Sequence, residues 1–275
     1  MTVAIPGQAA LDYFPCRYGR SRVLFRGPRQ RLDAPYIGFL GGTETYGRFV
    51  ETPFPALLEQ QLHQPCVNFG AVNAGLDLYL HDPAVLGLAE RAEACVMQVM
   101  GAQNMSNRYY SVHPRRNDRF LRASDRLQQL YPEVDFTEFH FNRHMLGTLR
   151  DLSPDRFEVI VAELRLAWVA RMKHLLTLLR GRVLLLWFAD KPPSDVPTSE
   201  TTGDPLFVDR TMIEVLRPRV AGLIETPRSE TARRHGAPGM IFSDYEAGAA
   251  AELMGPQAHE ETAEQLLPLL RDLVG

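Results

Sequence analysis

The sequence predicts an α/β protein: a three-layer α/β/α sandwich around a mostly parallel five-stranded sheet. Three observations carry this. Short apolar runs bounded by turn residues recur along the chain, helix signals fall between them, and 275 residues suffice for one substantial core without a second domain. The expected unit is a single domain over 1–275, with 1–34 as an N-terminal extension and 105–150 as a helical insertion.

The strands are expected at Pro35–Leu40, Cys66–Phe69, Ala94–Met100, Val183–Phe188 and Gly239–Phe242, each short and apolar enough to be buried on both faces. Arg20–Pro28 is a further candidate for a short edge strand. Ser153-Pro154-Asp155 opens the clearest helix, because serine caps, proline fits the first turn and aspartate faces the positive helix end. Its apolar residues Phe157, Val161, Leu164, Trp168, Met172, Leu175 and Leu179 recur every three or four positions, and Gly181 is expected to stop it. Asp82-Pro83 opens a second helix through about Ala92, and a last helix carries Leu266, Leu267, Leu270 and Leu273. The Pro- and Ser-rich stretch Lys191–Pro205 reads as a surface loop or lid.

Composition narrows the function. The formal charge of −3 argues against a nucleic-acid partner, and the absence of a long apolar run argues against a membrane span. Met1–Leu11 lacks a signal-peptide pattern, so a cytoplasmic location is expected. Cys16, Cys66 and Cys95 show no metal-ligand spacing and read as reduced thiols. Of the 30 basic residues only Lys173 and Lys191 are lysines, so arginine matters only where it clusters.

In such a sheet the chemistry belongs in the loops after the strands. The first loop, Gly41-Gly42-Thr43-Glu44-Thr45-Tyr46-Gly47, presents a hydroxyl at the start of a helix. The second, Asn68 to Gly75, adds Gly70, Asn73 and Gly75; the third, Gly101-Ala102-Gln103-Asn104, adds an amide; and Gly255-Pro256-Gln257-Ala258-His259 places a histidine at the mouth of the final helix.

This ordered set over Pro35–Leu273 resembles the SGNH (GDSL-type) hydrolase superfamily, a flavodoxin-like fold in which a Gly-Asp-Ser-x-Thr block, a glycine block, a Gly-x-Asn block and an Asp-x-x-His block line one site. The resemblance implies Thr43 as nucleophile, His259 as its base, and Asn104 with Gly70 or Gly75 as the oxyanion hole of an ester or acyl hydrolase or acyltransferase. Glu44 and Asn73 would touch a small substrate. Thr43 stands for the family serine, Gly42 for its aspartate and Pro256 for the orienting aspartate, and Asn104 falls one position late. Asp190, Asp244 or Glu246 would then have to orient His259.

Downstream of the third loop, His113, Arg115, Arg116 and Arg119 form a cluster able to clamp an anionic group, so the substrate is expected to include anionic candidates. The alternative for this cluster is a solvated face paired with Asp118 and Asp125. His140 and His144 have the spacing of a metal pair but no third ligand in reach, so no metal and no cofactor are expected. Trp168 and Trp187 read as core. The first loop also has the spacing of a phosphate-binding loop, yet Arg48 and Phe49 occupy its lysine and hydroxyl positions, which excludes a Walker-type site. Two other readings stay open: a sulfotransferase-like transferase using the first loop with Arg115 and Arg116, and a catalytically inactive SGNH-like binding protein. A homodimer is an open alternative for the assembly.

Overall fold

A computed structural model describes residues 11–180 and 182–275. In chain order they form β1 (Ile37–Leu40), α1 (Thr43–Tyr46), α2 (Phe54–Leu62), β2 (Cys66–Asn68), α3 (Leu76–Leu80), α4 (Pro83–Arg91), β3 (Ala94–Gln98), β4 (Tyr110–His113), β5 (Arg116–Ala123), α5 (Asp125–Leu130), α6 (Asn142–Leu152) and α7 (Pro154–Leu178). There follow β6 (Val183–Ala189), α8 (Arg210–Glu214), β7 (Gly222–Pro227), α9 (Glu230–His235), α10 (Ala247–Glu252) and α11 (Pro256–Val274).

Five strands pair in parallel in the order β2-β1-β3-β6-β7, with Ile37 opposite both Cys66 and Ala94. Alternation along the strands divides the core in two. Ile37, Phe39, Val96, Leu186 and Phe188 pack with Phe54 and Leu58 of α2 and Ala258, Leu266 and Leu270 of α11. Leu40, Val67, Met97, Leu185 and Trp187 belong to the opposite core with Leu76 and Leu78 of α3, Val85 of α4 and Leu164, Trp168 and Met172 of α7. The α/β class, the parallel five-stranded sheet and the flanking helices agree with the expectation.

The expected caps form. Asp82 accepts from the N–H groups of Ala84 and Val85 at 3.2 Å each, and Ser153 accepts from that of Arg156 at 3.4 Å. The apolar stripe of α7 is buried from Phe157 to Leu175. Gly181 lies outside the described residues, and the helix ends at Leu178. The indole N–H groups of Trp168 and Trp187 are satisfied by the carbonyls of Met100 (2.8 Å) and Lys191 (2.7 Å), in keeping with core roles.

Three expectations are corrected. The fifth strand is Gly222–Pro227; Gly239–Phe242 makes only an isolated antiparallel bridge, Met240 to Val50. β7 is a half-buried edge strand carrying Glu225 and Thr226, so it lacks the apolar run that marks a central strand. Arg20–Pro28 contributes one bridge, Phe25 to Cys16, instead of an edge strand. Its Arg26 is buried and donates to the carbonyls of Gly47 (2.6 Å) and Glu51 (2.7 Å), bracing the chain just after the first loop. The stretch 105–150 begins with the antiparallel β4–β5 hairpin before its helices.

Candidate functional site

The strand order reverses between β1 and β3, and the loops leaving their carboxyl ends enclose a cavity of about 960 Å³. Its first wall is the turn into α1. The carboxamide oxygen of Gln98, buried at the end of β3, accepts from the N–H of Gly42 (3.0 Å), the N–H of Thr45 (3.2 Å) and the hydroxyl of Thr45 (2.7 Å). One side chain thus fixes both ends of the turn. Gly47 closes α1 in the left-handed region at φ +73°, its N–H donating to the carbonyls of Thr43 (3.0 Å) and Glu44 (3.1 Å).

This turn leaves Thr43 and Glu44 on the cavity. The Thr43 hydroxyl donates to Asn73 Oδ1 (3.2 Å) and accepts from the Asn73 N–H (3.0 Å). Asn73, at φ +56°, also donates through Nδ2 to Asp118 (3.2 Å). Asn104 donates to the Asn73 carbonyl (3.2 Å) and accepts from Asn142 (3.2 Å), which leaves one N–H of its amide without a partner among the described residues. Thr43, Glu44, Asn73 and Asn104 therefore meet in one cavity, four of the positions singled out from sequence.

Glu44 has the unusual proton affinity here. Burial, reinforced by the negative charge of Asp204, pushes its carboxyl up to about 8, with Arg228 pulling weakly the other way. Asp204 is itself raised by burial, against the pull of Arg143 and Gln103.

The remaining candidates lie elsewhere. Gly70 and Gly75 do not line the cavity, and their N–H groups donate to Asn68 Oδ1 and Asn117 Oδ1, both at 2.8 Å, so neither supplies an oxyanion donor. Gly75 is glycine for close packing: a Cβ there would collide with the carbonyl of Asn104.

His259 is 1% exposed and packs on Phe54 (centroids 5.8 Å apart) and Phe188 (5.0 Å). Phe188 lines the cavity and His259 does not. Nδ1 of His259 accepts the N–H of Phe54 at 3.1 Å, and burial pushes the imidazole down to about 3. The ring is a neutral core group, which corrects its assignment as the base. A sequence signal existed: His259 is in phase with Thr262, Ala263, Leu266 and Leu270 on the buried stripe of α11. The acids proposed to orient it are engaged or exposed. Asp190 pairs with Arg228 (3.3 Å) and Arg233 (3.6 Å), Glu246 pairs with Arg48 (3.1 Å), and Asp244 is exposed.

Arg115 and Arg116 are exposed at the β4–β5 turn, where His113 Nδ1 accepts both of their N–H groups (3.2 and 3.1 Å). Arg119 lies over the ring of Phe141, 4.2 Å from its centroid. None of these four lines the cavity, although Asp118 and Phe141 do. The cavity arginines are Arg143 and Arg228, which sequence reading missed. Arg228 follows β7 directly, so it was hidden with that strand; it donates to the Leu253 carbonyl (2.7 Å). Arg143 pairs with Asp204 (2.6 Å) and caps the Thr201 and Gly203 carbonyls (3.3 Å each). With Arg150 donating to Thr201 (2.7 Å) and Gln103 to Asp204 (3.1 Å), the end of the Lys191–Pro205 loop is fastened as a cavity wall.

His140 precedes α6 and only His144 lies within it, so the pair does not share a helix face. Among the described residues no group of three metal-ligating side chains occurs, and no helix is long and apolar enough to cross a membrane. The three cysteines are free, and burial pushes the Cys95 thiol up to about 12.

Among solved structures, the lipase Lip_vut3 from a goat rumen metagenome is similar at 11% identity, covering 85% of this chain and 96% of its own, with a TM-score of 0.43. That likeness is too distant to bear on chemistry. No curated protein matches the chain. A family model described as a domain of unknown function (DUF6473) matches residues 1–274, and the chain belongs to that family.

Proposed function

We propose that the cavity carries out ester or acyl chemistry, hydrolysis or transfer, as a divergent SGNH-type site in which Glu44 replaces His259 as the acid–base group. The observation that carries this reading is the meeting of the Thr43 hydroxyl, the Asn104 amide and a carboxyl raised to about 8 in one cavity at the strand-order reversal. Thr43 attacks the acyl carbon and its proton passes to the Glu44 carboxylate, directly or through one water. The remaining N–H of the Asn104 amide stabilises the oxyanion. The proton then returns to the leaving group, and water releases the acyl group in hydrolysis.

A hydrolysis screen with p-nitrophenyl esters and acyl thioesters tests this on the wild type, Thr43→Ala, Thr43→Ser and Glu44→Gln. The wild type is expected to turn over at least one ester, with kcat/KM rising as pH passes about 8 and Glu44 ionises. Thr43→Ala and Glu44→Gln each lose about 100-fold or more, and Thr43→Ser retains activity. Full activity in Thr43→Ala overturns the assignment.

One observation favours a binding protein instead: the Thr43 hydroxyl donates to Asn73, not to a base. Inactivity of all four folded proteins supports that reading. The sulfotransferase-like alternative required Arg115 and Arg116 beside the first loop, and neither lines the cavity.

A further inference from the structure

The β4–β5 hairpin and the first turn of α5 carry Arg115, Arg116, Arg119, Arg122 and Arg126. Among the described residues none of the five has a carboxylate within ion-pair distance, whereas Arg143, Arg156, Arg171, Arg210 and Arg228 are all paired. All but Arg119 are exposed. Asp118 and Asp125 are the acidic residues of this stretch, and Asp118 is turned to Asn73. A chain of net charge −3 thus leaves a run of unneutralised guanidinium groups on one ribbon.

The ribbon borders the cavity. Asp118, in the middle of β5, lines it, as does Phe141 beneath Arg119. The cavity itself is not basic: Arg143 and Arg228 are paired there, and Glu44, Asp118 and Glu252 add carboxyl groups. A partner spanning both places has an uncharged part for the cavity and an anionic part for the rim.

We propose that this ribbon docks a linear anionic polysaccharide and presents one of its ester-bearing sugars to the cavity. This rests on the reading of the cavity as an ester site. Arg116 and Arg122 are six positions apart, roughly 20 Å along a strand, a span that matches several sugar units. Guanidinium forks bind carboxylate or sulfate groups. The Phe141 ring, 42% exposed at the rim with the Arg119 guanidinium over it, offers its exposed part for contact with sugar C–H groups. Asn73, Gln103, Asn104 and Asp118 supply the amide and carboxylate partners that sugar hydroxyls take. A nucleic acid fits less well, because single-strand binding relies on successive exposed aromatic platforms, and among the described cavity-lining residues the exposed rings are those of Phe141 and His144.

Binding is measured by calorimetry at about 50 mM salt, with a hexamer of galacturonic acid, a neutral dextran of equal length, a 12-base-pair DNA and vesicles containing anionic phospholipid as probes. The hexamer is expected to bind at least 10-fold more tightly than the other three and to weaken steeply as salt rises. The triple variant Arg115→Gln, Arg116→Gln, Arg122→Gln loses 10-fold or more of that affinity with Tm within a few degrees of wild type, and Phe141→Ala loses several-fold. Absent hexamer binding, equal binding of DNA or vesicles, or an unaltered triple variant each overturns the proposal. Because no turnover is required, hexamer binding without ester cleavage indicts the catalytic reading instead, and cleavage of small esters without hexamer binding indicts this one.

Discussion

The loop after β1 and the start of α11 look alike in the sequence, since each sets a proton-bearing side chain at a helix mouth shortly after glycine. In the fold they part. Burial drives both groups to the neutral form, raising Glu44 to about 8 and lowering His259 to about 3. The difference is in the surroundings. Glu44 looks onto a cavity with Thr43, Asn104 and Arg228, whereas His259 is sealed against Phe54 and Phe188. Burial beside polar groups and a cavity prepares a group for proton transfer; burial among aromatic rings removes it from chemistry.

The largest effect that tests this contrast is acid destabilisation. The unfolded chain protonates His259 near 6.5 and the folded chain only near 3, so its contribution is intact above pH 6.5 and is lost as pH falls towards 3. The loss amounts to about 4–5 kcal/mol. Urea unfolding between pH 7.5 and 4 captures about 3 kcal/mol of it, and His259→Phe should flatten the acid limb. An identical limb in that variant breaks the comparison.

His259→Ala comes next. Emptying a ring-sized space between Phe54 and Phe188 costs about 3–4 kcal/mol, or roughly 10 °C in Tm. A catalytic base would instead leave Tm nearly unchanged and abolish turnover, so calorimetry beside the ester assay separates the two roles. The smallest effect concerns the other region. Thr45→Val removes the 2.7 Å hydroxyl contact to Gln98 but leaves the two N–H contacts in place. It should cost about 1 kcal/mol in denaturant titration; a loss several times larger would make this hydroxyl the main brace of the turn.

These regions also show what sequence reveals. β1, β2, β3 and β6 are legible because buried central strands are short apolar runs, and the openings of α4 and α7 because Asp82-Pro83 and Ser153-Pro154 cap them. β7 is hidden because an edge strand keeps polar side chains, and Gly239–Phe242 misleads because an apolar run signals burial and not pairing. Part of the site follows from loop position alone, through Thr43, Glu44, Asn73 and Asn104. Arg143 and Arg228 do not, because Arg143 enters from the insertion and Arg228 from the end of the missed strand. His259 was misplaced because the order of motifs outweighed its phase on the helix.

The central claim is that the first-loop cavity holds the proton-transfer group, and a ¹³C NMR titration of glutamate carboxyls, with Glu44→Gln for assignment, tests it most directly. One carboxyl should titrate near 8 and vanish in Glu44→Gln. If every glutamate instead titrates within about a unit of its ordinary value near 4.3, the cavity has no such group and the account fails.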